Sequence, residues 1–146
     1  MRSSSAVFSE AIETAGEGGG WPASPAARLD RPLDLVHLTR QTFGDKRLET
    51  ELLRLFVRQA AQIDHALEVG PERVDGQGDL DLLHLLVGSA RAVGATRVAS
   101  LAGEAEARLR RGIGAPGGRI GEAERRDLRQ AIAGATTYIA ELLDQG

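Results

Sequence analysis

The chain has 146 residues, which is enough for one domain with a buried core. It contains no cysteine, which excludes disulfides, thiolate nucleophiles and zinc–thiolate sites. Its net charge of −3, without a concentrated basic patch, argues against a nucleic-acid partner. No apolar run reaches the roughly eighteen residues that a membrane span needs, and no apolar core of a secretory signal is present. We therefore expect a cytoplasmic protein without a membrane or nucleic-acid partner.

Residues 1–30 are predicted to form a flexible N-terminal arm. Their stretch "GEGGGWPASPAARLD" is rich in Gly, Pro, Ala and Ser. Such a composition buries too little apolar surface to offset the entropy lost on ordering. The helical domain is accordingly expected over residues 31–146.

From residue 33 onward the apolar residues recur with helical spacing, and no period-two alternation typical of strands is present. Asp45 stands where an N-cap belongs, while Gly44 and Gly94 stand where helices end. The predicted helices cover about Leu33–Phe43, Asp45–Val69, Asp79–Val93, Thr96–Arg111 and Glu122–Leu143. Four long amphipathic helices with short connections favour an all-α fold, an antiparallel up-and-down four-helix bundle with a short additional N-terminal helix.

The third predicted helix carries the stretch "HLLVGSARAVGA", which begins at His84. At 100° per residue, Leu86 and Val93 fall on the side opposite His84 and face the bundle. Gly88 and Arg91 fall roughly 40° and 20° from His84, on the outer face. An apolar rim is predicted around the imidazole, consisting of Leu80, Leu85, Val87 and Ala92. Such a rim on an outer face indicates a partner-binding surface.

Gly88 lies inside this helix, where glycine costs roughly 0.5–1 kcal/mol relative to alanine. One turn from His84, a missing side chain would let a partner or a phosphoryl group approach the imidazole. Asp81, one turn before His84, could accept a hydrogen bond from the ring. Its charge would also repel phosphate, so we interpret it as a solvated residue of the partner-binding face.

The same stretch resembles the phosphorylation helix of histidine-containing phosphotransfer (Hpt) domains, whose usual motif is H-x-x-K-G-[SA]-[AS]. His84 matches the phosphoacceptor, and Gly88, Ser89 and Ala90 match the residues that follow it. The resemblance extends over about Leu33–Leu143, because this family is an up-and-down helical bundle with an exposed histidine.

The resemblance implies a phosphorelay protein in which His84 accepts a phosphoryl group from a receiver-domain aspartate and passes it to another. The expected partners are response-regulator receiver domains, a hybrid histidine kinase, or both, and the receiver would bring the Mg²⁺. No G-x-x-x-x-G-K-[ST] loop is present, so we expect a stoichiometric phosphoryl carrier without a nucleotide site. We expect no cofactor or metal of its own, and a monomeric state.

The resemblance has one departure, because Val87 occupies the position where the family usually has lysine. Arg91 is a candidate to supply the missing positive charge beside the phosphoryl group. Two alternatives follow: a degenerate Hpt-like module that binds receiver or kinase domains without transfer, and a helical scaffold or dimerisation domain. His37 and His65 are weaker candidates for a site, and the carboxylates of "GEAEA" at 103–107 are interpreted as solvated.

Overall fold

The structure, a computed structural model, describes residues 31–69, 77–116 and 118–145. These ranges contain five helices. No strand is present in these ranges, so the predicted all-α class is confirmed. The predicted arm over residues 1–30 lies outside the described residues. The helices are α1 (Leu35–Gln41), α2 (Lys46–Val69), α3 (Gln77–Val93), α4 (Thr96–Arg110) and α5 (Glu122–Gln145).

The first two helices begin at aspartates whose side chains accept hydrogen bonds from backbone N–H groups of the first turn. Asp34 caps α1 by accepting from the amide of His37 at 3.1 Å. Asp45 caps α2 by accepting from the amides of Arg47 and Leu48, at 3.0 and 3.1 Å. These amides have no partner within the helix, so each aspartate stabilises the start of its helix by about 1 kcal/mol.

The link between α3 and α4 is a tight turn built on Gly94, which has a φ of 78°. The amide of Ala95 donates to the carbonyl of Ala90 at 2.8 Å, and the amide of Gly94 donates to the carbonyl of Arg91 at 3.3 Å. These two bonds form a Schellman ending of α3. A Cβ at position 94 would lie 2.7 Å from the carbonyl oxygen of Asp34, so only glycine fits this turn. The turn places α3 and α4 side by side as a helical hairpin.

The four long helices pack in a closed cycle. Helix α3 contacts α2 and α4, and α5 contacts the same two helices, while α1 lies against α3. The largest fully buried side chains of the core are Phe56, Leu33, Leu83, Leu86, Leu128, Ile139, Val93 and Val98. Burying a side chain of this size contributes roughly 1.5–3 kcal/mol, which makes this core the main source of stability.

Side-chain hydrogen bonds join α2 to its two neighbours, α3 and α5. The hydroxyl of Ser89 on α3 donates to Oε1 of Gln59 at 2.6 Å, and Nε of Arg129 on α5 donates to Oδ1 of Asp64 at 2.9 Å. The hydrogen bond with Asp64 raises the pKa of the Arg129 guanidinium. In the described part of the chain, no helix combines the length and the apolar character that crossing a membrane requires.

Candidate functional site

His84 lies near the middle of α3 and points outward from the core. Its side chain is 76% exposed, whereas Leu83 and Leu86 on the same helix are 1% and 0% exposed. The buried leucines anchor α3 to the bundle, so the imidazole is held on a rigid element and not on a loop. This outward position agrees with the helical wheel drawn from the sequence.

A carboxylate from the neighbouring helix holds one nitrogen of the imidazole. Oε2 of Glu106 on α4 lies 3.0 Å from Nδ1 of His84, and the Glu106 side chain is only 13% exposed. The hydrogen bond that Arg110 donates lowers the pKa of Glu106, and the hydrogen bond from His84 lowers it further against the opposing effect of burial. Glu106 is therefore ionised at neutral pH.

This contact determines which ring nitrogen is available for chemistry. An ionised carboxylate can only accept a hydrogen bond, so the proton must lie on Nδ1 of His84. In the neutral ring Nε2 then keeps its lone pair, which points away from Glu106. The arrangement presents one nucleophilic nitrogen on an exposed ring whose orientation is fixed.

Glu106 was not among the residues expected from the sequence, where the carboxylates of residues 103–107 were interpreted as solvated. That interpretation is wrong for Glu106. The signal that would have found it is symmetry about the turn, since His84 stands ten residues before Gly94 and Glu106 eleven residues after Ala95. A helical hairpin brings two such positions to the same level.

Open space lies beside the imidazole at Gly88. This residue is exposed, and no heavy atom outside its own helical neighbourhood comes within 4 Å of a Cβ placed there. Neither a strained backbone nor close helix packing therefore requires glycine at this position. Because Cα–Cβ bonds tilt toward the start of a helix, a side chain at 88 would extend toward His84.

The predicted rim around His84 is present in part. Leu85 is 49% exposed, Arg91 and Ala92 are exposed, and Leu80 is partly buried against the core. Asp81 is also exposed, but the carboxylate at Nδ1 of His84 belongs to Glu106.

The prediction that Val87 belongs to the exposed rim is wrong, because this side chain is 7% exposed and forms part of the core. The exposure of a residue at the edge of the outer face depends on the helices that flank α3, here α1, α2 and α4, and a single helical wheel does not contain them. Val87 therefore supplies packing, and the usual lysine position of the motif carries no charge in this chain.

The other two histidines have different surroundings. Nε2 of His37 donates to the carbonyl oxygen of Arg91 at 2.7 Å and so joins α1 to α3. His65 is exposed on α2. Among residues 31–69, 77–116 and 118–145, no three His, Asp or Glu side chains converge as ligands of a metal ion. These observations leave His84 as the histidine that combines exposure with a fixed ring.

Comparison with known proteins connects this geometry to a family. The family model described as "Hpt domain" matches residues 51–145, a range that contains His84, Gly88 and Glu106. No curated protein matches the chain. Hpt domains are the histidine phosphotransfer modules of phosphorelays, where they interact with receiver domains and kinases. Because the match covers most of the chain and the structure is a helical bundle with an exposed histidine, the chain belongs to the Hpt domain family.

Proposed function

We propose that this domain carries a phosphoryl group on Nε2 of His84, taking it from the aspartyl phosphate of a receiver domain and giving it to another aspartate. The observation that carries this proposal is the combination at one residue of a 76% exposed ring and an Nδ1 atom held by Glu106. The exposure lets a partner reach the ring, and the hydrogen bond to Glu106 orients Nε2 as the nucleophile. An ordinary surface histidine has only the first property.

The transfer step balances on these atoms. The lone pair of Nε2 attacks the phosphorus, the P–N bond forms, and the P–O bond to the aspartyl carboxylate of the donor breaks. The electron pair of that bond leaves with the donor carboxylate. The imidazole keeps its proton on Nδ1 and becomes positively charged, and the negative charge of Glu106, 3.0 Å away, stabilises it. The reverse sequence delivers the phosphoryl group to the next aspartate.

The surroundings of His84 fit the other requirements of phosphoryl transfer, which depends mainly on positioning and charge compensation. Gly88 leaves the space in which a phosphoryl group and a partner loop would approach. Arg91, exposed and two turns after His84, is proposed to supply positive charge in place of the usual lysine. The partner-binding surface is proposed to consist of Leu80, Asp81, Leu85 and Ala92.

The domain is proposed to act as a monomeric, cytoplasmic, stoichiometric carrier, with the receiver domain supplying the acidic pocket and Mg²⁺. The cycle of contacts among α2, α3, α4 and α5 supports an antiparallel up-and-down bundle.

A second function is favoured by one observation, the buried Val87 at the usual lysine position. A domain without that charge could bind receiver or kinase domains and not transfer phosphate. The two functions share a docking surface and differ in whether His84 becomes phosphorylated.

Phosphotransfer from a panel of receiver domains, each first phosphorylated with acetyl phosphate, tests the proposal. We expect at least one receiver to lose phosphate while acid-labile, base-stable phosphate appears on the domain. His84→Gln should abolish the transfer, and His65→Gln, an exposed histidine on α2, should leave it intact. Binding of a receiver without any transfer would favour the second function, and transfer that survives in His84→Gln would contradict the first.

A further inference from the structure

Arg110 binds the same carboxylate oxygen that holds His84. Its terminal nitrogen Nη2 donates to Oε2 of Glu106 at 2.8 Å, and that oxygen also accepts from Nδ1 of His84 at 3.0 Å. The three side chains therefore form a continuous chain of hydrogen bonds, from the end of α4 to the imidazole on α3. The mechanism proposed above uses Glu106 and leaves Arg110 without a role.

The position of Arg110 suits it to hold Glu106 in place. The two residues are four apart on α4, so their side chains lie on one face, one turn from each other. A glutamate that precedes its basic partner is the more favourable order for such a pair. A glutamate side chain has several rotamers, and only those that reach toward α3 can serve the imidazole. The bond from Arg110 favours a rotamer that does so.

Arg110 acts on the charge of Glu106 as well as on its position. Its hydrogen bond is the largest of the influences that lower the pKa of this carboxyl group. Burial of the Glu106 side chain, which is 13% exposed, works in the opposite direction. Arg110 thus offsets the effect of burial, which disfavours the ionised form of Glu106.

We propose that Arg110 is a positioning residue for the phosphoacceptor: it holds the Glu106 carboxylate directed at Nδ1, and thereby fixes His84 as the tautomer whose Nε2 is free. This inference rests on the proposed function of His84. It assigns Arg110 no contact with the phosphoryl group, because Nε2 and anything bonded to it point away from Glu106. Its role therefore differs from the direct charge compensation proposed for Arg91.

The test compares Arg110→Gln with Arg110→Lys and with Arg111→Gln, which removes an exposed arginine one residue further along. The first measurement uses the unphosphorylated protein. Long-range ¹H–¹⁵N spectra report the tautomer of His84, and ¹³C spectra follow the titration of the Glu106 carboxyl group. In Arg110→Gln we expect a smaller fraction of the Nδ1–H tautomer and a higher pKa of Glu106. Arg110→Lys should restore most of both, and Arg111→Gln should match the wild type.

The second measurement is the rate of phosphorylation of His84 by phosphoramidate. We expect Arg110→Gln to slow it roughly twofold to fivefold, the range that an exposed ion pair supports. Wild-type spectra of both His84 and Glu106 in Arg110→Gln would overturn the proposal, as would an equal change in Arg111→Gln. The spectra do not depend on phosphotransfer. If the wild-type protein is never phosphorylated, the function proposed for His84 is refuted, but the spectra still show whether Arg110 positions Glu106.

Discussion

Oε2 of Glu106 lies 3.0 Å from Nδ1 of His84, across the hairpin that α3 and α4 form around Gly94. The two residues are 22 apart in the sequence and come from different helices. A contact of this kind fixes both the direction of the ring and the nitrogen that carries the proton. It converts an exposed histidine into an oriented nucleophile.

Glu106→Ala is predicted to slow phosphorylation of His84 roughly tenfold to a hundredfold, because hydrogen bonds to charged groups contribute about 1.5–3 kcal/mol. Glu106→Gln, which keeps an acceptor oxygen and removes the charge, should fall between Glu106→Ala and the wild type. The measurement is the rate of ³²P loss from a phosphorylated receiver. Glu104→Ala, an exposed glutamate on the same helix, is the control. Equal rates for Glu106→Ala and Glu104→Ala would show that the contact has no part in transfer.

Gly88→Gln is predicted to slow transfer while the helix becomes slightly more stable. A side chain at 88 leans toward His84 and would occupy the approach to Nε2. Gly134→Gln is the matched control, because Gly134 is also an exposed helical glycine with open space around it, on α5. Both variants should gain about 0.5 kcal/mol in the free energy of unfolding, measured with urea. Only Gly88→Gln should transfer phosphate more slowly than the wild type; transfer at the wild-type rate would remove the steric explanation for this glycine.

Arg91→Ala is predicted to slow transfer roughly twofold to fivefold and to weaken its dependence on salt, because an exposed charge acts through a screened field. The contact of His37 with the Arg91 backbone carbonyl remains in this variant, so α1 should keep its place. Arg97→Ala removes an exposed arginine from α4 and serves as the control. If rates at low and high salt are the same in Arg91→Ala and in the wild type, Arg91 does not replace the missing lysine.

Phe43→Gly is predicted to stabilise the domain by up to about 1 kcal/mol. Phe43 is 95% exposed and has a φ of 54°, a left-handed conformation that costs a residue with a side chain roughly 1–2 kcal/mol. Glycine adopts it freely but loses more entropy on folding, which cancels part of the gain. Phe43→Ala keeps the strain and should leave the urea midpoint nearly unchanged. A Phe43→Gly variant less stable than Phe43→Ala would contradict this account.

The helices of this fold could be predicted because their signals are local. Asp45 caps α2, and Gly94 ends α3 with a positive φ, so both ends are encoded within a few residues of where they occur. The outward direction of His84 is equally local, since it follows from the apolar residues of its own helix.

What could not be predicted depends on which helices lie next to one another. Val87 lies near the outer face on a helical wheel and is nevertheless buried, because its exposure depends on the helices around α3, which a single wheel does not contain. Glu106 meets His84 because the α3–α4 turn sets their register. The spacing of a charged residue in the sequence is the same whether its side chain faces solvent or a histidine on the next helix.

Which nitrogen of His84 accepts a phosphoryl group can be measured without a partner protein. Uniformly ¹⁵N-labelled domain is treated with phosphoramidate, and long-range ¹H–¹⁵N spectra identify the phosphorylated ring nitrogen. We expect a single phosphoryl group on Nε2 of His84, with the proton remaining on Nδ1. Phosphorylation at Nδ1 of His84, or at His37 or His65 while His84 stays unmodified, would contradict this expectation.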